Sequence, residues 1–145
     1  MPNGGTLEQA KEMEELMLRE LAWLLPVLAL TFAAVVAVLL AIVLPRRQQG
    51  LVGAWVALAH LAAAALAVVV WLDRGFTPVM EGILMVDGLA LTLTVIIGVA
   101  GALCVALARP AIAGSDREAE FYAVLTFASL SAVLLGMAGD AASWL

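Results

Sequence analysis

The chain has 145 residues, of which 65% are hydrophobic, against roughly 45–50% in an ordinary soluble domain. A soluble domain of this length has too little interior to hide that much apolar surface, so the composition excludes one. Seven Lys+Arg against twelve Asp+Glu give a net charge of −5, which leaves no basic stripe and excludes nucleic-acid binding. The single cysteine, Cys104, excludes a disulfide framework and a thiolate metal site. A lone histidine, His60, excludes a bundle that holds haem between paired histidines. The composition therefore predicts an all-α integral membrane protein.

Residues 1–20 read as a tail followed by a short helix. Residues 1–5 are expected to be disordered, Thr6 with Gln9 suits a capping box, and residues 7–22 then run helical. Met13, Leu16, Met17 and Glu20 recur at helical spacing, so this helix is moderately amphipathic. It either lies along the membrane surface or, the favoured reading, prolongs the first span until Pro26 bends it. The leader is acidic and the apolar run after it is long, which argues against a cleaved signal sequence.

A spanning helix needs ~20 largely apolar residues to cross a ~30 Å hydrocarbon layer. Residues 21–145 supply four such stretches, at about 21–44, 51–72, 83–108 and 119–143. The first stops at Pro45-Arg46-Arg47, the second at Asp73-Arg74-Gly75 and the third at Arg109-Pro110. Between the second and third, Gly75, Pro78 and Gly82 predict a turn or short hairpin. Arg46, Arg47, Arg109 and Arg117 flank one end of the spans, whereas Lys11, Arg19 and Arg74 flank the other. That bias puts both termini on the outer side. Trp23, Trp71 and Trp144 then fall at the outer interface, with Trp55 and Tyr122 nearer the inner one.

Small residues repeat every four positions at Gly53/Ala57, Ala59/Ala63/Ala67, Thr94/Gly98/Ala102 and Ala128/Ala132/Gly136. Such stripes let helix backbones approach closely in lipid, although an Ala-rich chain produces some of them by chance.

Candidate chemistry is sparse. His60 sits near the middle of the second span, where an ionisable residue suggests a station in a proton path. The favoured reading is plainer: a neutral imidazole hydrogen-bonded to a neighbouring helix. Asp87, just before Gly88, reads as an N-cap at the positive end of the third helix. Asp116, Arg117, Glu118 and Glu120 read as a solvated loop and first helical turn, in which Arg117 pairs with a nearby carboxylate. Cys104 is expected to be a small packed residue with an unreactive thiol. No nucleophile–base pair, phosphate loop or metal-spaced cluster is present. No catalytic, cofactor-binding or metal-binding residue is therefore assigned, and a non-catalytic membrane subunit is the expectation.

Three segments resemble a known family. They are "VDGLALTLTVIIGVAGALCVAL" (86–107), which follows "GFTPVMEGIL", then "EAEFYAVLTFASLSAVLLGMAGDAASWL" (118–145) and "ELAWLLPVLALTFAAVVAVLLAIVLPRR" (20–47). Together they resemble the N-terminal part of subunit N of the proton-pumping NADH-quinone oxidoreductase, respiratory complex I. The most specific part is the fourth-helix pattern, Phe121-Tyr122 through Leu135-Gly136-Met137 to Asp140. Related antiporter-like subunits share the general pattern. The resemblance implies the leading four-helix block of a larger multi-span subunit in a bacterial inner membrane. It also implies other membrane subunits, including the rest of subunit N, as partners, and no bound cofactor. The family's proton-handling glutamate and lysines would follow Leu145, so none maps onto this chain, and a truncated or split subunit is the expectation. The competing reading is a small independent four-helix scaffold or assembly protein.

Overall fold

A computed structural model describes residues 4–73, 77–79 and 84–138. Its elements are α1 (Gly4–Trp23), α2 (Leu25–Val43), a single 3₁₀ turn (Arg46–Gln48), α3 (Gly50–Asp73), β1 (Thr77–Val79), β2 (Leu84–Val86), α4 (Gly88–Ile112) and α5 (Glu118–Met137). Four of the helices, α2 to α5, are long and apolar enough to cross a membrane.

These four pack as an up-and-down bundle. Each touches its neighbours in the order α2, α3, α4, α5 and back to α2, and α3 also reaches α5 across the diagonal. The buried positions follow the helical period. On α2 they are Val27, Leu30, Ala33, Ala34 and Ala37, and on α4 they include Ala90, Leu91, Thr94, Gly98, Gly101, Ala102 and Val105. The core lies in three layers. Leu24, Ala67, Val70, Val86 and Leu91 fill one end, Val27, Leu30, Ala63, Ala90, Val133 and Met137 the middle, and Ala37, Val52, Val56, Val105, Ala119 and Tyr122 the other end. The outward faces stay apolar, with Phe32, Ile42, Leu58, Leu72, Leu107 and Leu135 all exposed. A bundle apolar inside and out is compatible with a multi-pass membrane protein.

Several boundaries differ from the sequence expectation. Helix begins at Gly4, so Gly4 and Gly5 are ordered rather than part of a disordered tail, and Thr6 lies inside α1 instead of capping it. The expected first span, 21–44, is broken at Leu24, where the chain turns between α1 and α2. Pro26 is the cause: it has no N–H to carry the ladder onward and its ring suits the first turn of a new helix. Residues 8–18 of α1 are all exposed, and α1 makes only a small contact with α2. The expected third span begins five residues early, because 84–86 form a strand. β1 and β2 pair antiparallel, with Pro78 opposite Met85. Pro110 does not stop α4, which continues to Ile112. Proline so near the end removes one ladder bond without a following turn to disrupt, and Gly114, at φ 77°, supplies the left-handed residue that reverses the chain. The expected end of the fourth span, Asp140 and the last tryptophan lie outside the described residues, as do residues 1–3 and Arg74.

Candidate functional site

His60 lies fully buried on α3, between α4 and α5. Glycine makes the space for it. A Cβ on Gly101 would sit 2.1 Å from His60 Cδ2 and 2.5 Å from Nε2, and one on Gly98 would sit 2.7 Å from the His60 carbonyl oxygen. Within the stripe Thr94/Gly98/Ala102 every residue is buried, and Gly101 extends the same contact. By contrast Ala128 and Ala132 are exposed, and it is Gly136 of that stripe that meets another helix, at Leu93 of α4.

The imidazole is hydrogen-bonded at both nitrogens. Nδ1 donates to the Val56 carbonyl one turn earlier, 2.8 Å away, because a carbonyl can only accept. In a neutral ring Nε2 is then the acceptor, and it receives the Ser129 hydroxyl of α5 at 3.0 Å. That hydroxyl also lies 2.9 Å from the Leu125 carbonyl, an alternative acceptor. A neutral histidine is thus satisfied in place and ties α3 to α5. No Asp, Glu, Lys or Arg takes part in this set of bonds among the described residues. The arrangement serves as an interhelical hydrogen bond in an apolar medium.

A second polar group lies where the α2–α3 and α4–α5 turns meet. Glu118 was expected in a solvated first turn, yet it is 2% exposed. Its Oε2 accepts from the Gly114 N–H at 2.8 Å, which closes the α4–α5 turn. Among the described residues its Oε1 has no hydrogen-bond partner, and neither has Gln49 Oε1 or the Tyr122 hydroxyl, all three atoms buried. Two glycines of α3 admit these side chains. A Cβ on Gly50 would lie 3.7 Å from Glu118 Oε1 and 4.0 Å from Arg109 Nη2, and one on Gly53 would lie 2.6 Å from the Tyr122 ring and 2.9 Å from its hydroxyl. Tyr122, expected near the inner interface, is fully buried at this end. The exposed ion pair here joins Arg46 to Asp116 across the two turns, rather than Arg117 to a neighbour.

Asp87 caps α4 as expected: its carboxylate accepts from the Ala90 N–H at 2.7 Å. Cys104 differs from expectation, since it is exposed on the outer face of α4 rather than packed inside. Among the described residues no group of three or more His, Cys, Asp or Glu side chains is placed to hold a metal ion. Glu118, expected in a solvated turn, is buried. The signal for its burial was its spacing: it lies on the α5 face that carries Tyr122, Ser129, Val133 and Met137.

Compared with protein-family models, curated proteins and solved structures, the chain matches none of them.

Proposed function

We propose that this chain is a membrane-arm component of a proton-translocating NADH-quinone oxidoreductase, the leading four-helix block of a subunit similar to subunit N. It contributes helix packing and lipid-facing surface, while redox chemistry takes place in other subunits. The observation that carries this reading is the pattern from Phe121-Tyr122 through Leu135-Gly136-Met137 to Asp140. As far as Met137 it lies on α5, and its residues there divide cleanly between the two faces. Tyr122 and Met137 face inward, whereas Phe121 and Leu135 face outward and are free to meet lipid or a neighbouring subunit. The satisfied His60 supports a packing role over a proton-path role. Arg46, Arg47, Arg109 and Arg117 cluster at one end of the bundle, which supports a bacterial plasma-membrane orientation with that end inside and both termini outside.

The test is purification from the native membrane in mild detergent, with mass spectrometry of whatever accompanies the chain. Co-purifying NADH-quinone oxidoreductase subunits, above all one carrying the later helices of subunit N, are the expected result. Recovery alone or as a small homo-oligomer would overturn it in favour of an independent four-helix scaffold.

A further inference from the structure

We infer that the polar group formed by Gln49, Arg109, Glu118 and Tyr122 is a binding site for the headgroup of a phospholipid bearing a primary ammonium, phosphatidylethanolamine. The inference rests on the membrane part of the reading above and not on the oxidoreductase part.

Three oxygens at this end lack a hydrogen-bond partner among the described residues. Glu118 Oε1, Gln49 Oε1 and the Tyr122 hydroxyl are buried and accept no hydrogen bond. Glu118 and Tyr122 are 2% and 0% exposed, so water does not serve them freely, and a buried acceptor left unmade is costly. Glu118 and Tyr122 stand four residues apart on α5, and so share a face. Glu118 Oε1 looks onto Gly50 and the Tyr122 ring onto Gly53, three apart on α3, and Gln49 directly precedes Gly50. A primary ammonium carries three N–H donors and no acceptor, which matches a carboxylate, an amide oxygen and a phenol oxygen.

Arg109 supplies the other half. Its Nη2 and Glu118 Oε1 both lie within about 4 Å of the point a Gly50 Cβ would occupy. Even so, the ion pair found at this end is Arg46 with Asp116. Arg109 is exposed and Glu118 buried, so a cation and an anion sit side by side at different depths. A zwitterion with a phosphate for the guanidinium and an ammonium for the carboxylate answers both at once. The position agrees. The group lies at the ends of four apolar helices, in the layer where arginines gather, and the exposed side chains of Leu51, Leu107 and Phe121 below it offer apolar surface for acyl chains.

The experiment measures thermal unfolding of the full purified chain in detergent, titrated with phosphatidylethanolamine, its N-methyl and N,N-dimethyl forms, and phosphatidylcholine, all with the same acyl chains. A quaternary ammonium has no N–H to give, so phosphatidylethanolamine is expected to stabilise at a concentration roughly tenfold lower than phosphatidylcholine, with graded values between. Glu118→Gln should erase that order, and Arg109→Gln should weaken every phospholipid alike. Equal half-effect concentrations for the four lipids would overturn the site. So would a preference that survives in Glu118→Gln. The methylation series on the unaltered chain keeps the test decisive if a variant fails to fold. Free phosphoethanolamine is the remaining arm: stabilisation by it at the same concentration as the lipid would overturn the assignment to a lipid. Partner subunits play no part in these measurements, so their outcome is separate from that of co-purification.

Discussion

Glycines on α3 and α4 set the distance between α3 and its neighbours, and the cost of filling each space is decided by what stands in it. At Gly101 a methyl would sit 2.1 Å from the His60 ring, and the ring is held at both nitrogens, so it has nowhere to retreat. Gly101→Ala is therefore expected to destabilise the bundle by about 1–3 kcal/mol, the range for overpacked interiors, read as a lower unfolding temperature in detergent. Gly136→Ala is the control: there the nearest atom is Leu93 Cδ1 at 3.1 Å, the end of a flexible side chain, and the change should be small. His60 itself yields a functional prediction. On the proposed oxidoreductase reading, and if His60 serves packing, His60→Gln in the assembled complex leaves proton pumping intact, because an amide can still donate to one neighbour and accept from another. Loss of pumping with normal assembly would return His60 to the proton path. The central depth of His60 was legible in the sequence, but its partner was not. Ser129 is 69 residues away, and only the return of α5 beside α3 makes them neighbours.

Each helix end is held by a different device, and the sequence revealed them unequally. Asp87 was legible because its evidence is local: an acidic residue directly before an apolar run at whose first turn the N–H groups are free. Asp87→Ala should cost about 1 kcal/mol and speed amide exchange in the first turn of α4 before any other part of the bundle; uniform exchange would show that the cap is not the anchor. Glu118 was not legible by the same logic, since an acid in a first turn is ordinarily solvated. Here the left-handed Gly114 directs its N–H onto Glu118 Oε2, and packing against α3 closes over the rest. The surface pair Arg46–Asp116 joins the same two turns, yet the side chains are 73% and 69% exposed. Asp116→Asn should accordingly shift stability by less than about 1 kcal/mol, and less still at high salt. The four apolar stretches could be read directly because a membrane span is a property of length and composition. The bend at Pro26 and a turn or hairpin between the second and third spans were legible too, but not that the helix breaks at Leu24 or that a strand takes 84–86, since both depend on a few residues inside otherwise apolar runs.

At the scale of the whole molecule, the asymmetry of charge between the two ends of the bundle makes a prediction about orientation. The turn between α2 and α3 carries Arg46 and Arg47, and the turn between α4 and α5 carries Arg117 beside the last turn of α4 with Arg109. Cytoplasmic loops retain Lys and Arg during insertion, so these turns are expected inside and α1 outside. The chain is well suited to the measurement, because Cys104 is its only cysteine and Cys104→Ser gives a silent background on an exposed helix face. Gln48→Cys in the first turn and Ser115→Cys in the second are both exposed positions, and Gln9→Cys reports on α1. In intact cells a membrane-impermeant maleimide should label Gln9→Cys and spare the other two until the membrane is opened. The reverse pattern would invert the orientation, and the arginine-rich end would then face outward. Labelling of Gln48→Cys and Ser115→Cys on opposite sides would break the bundle itself. Both turns lie at one end because α2 and α4 run the same way, so an even number of crossings must separate them.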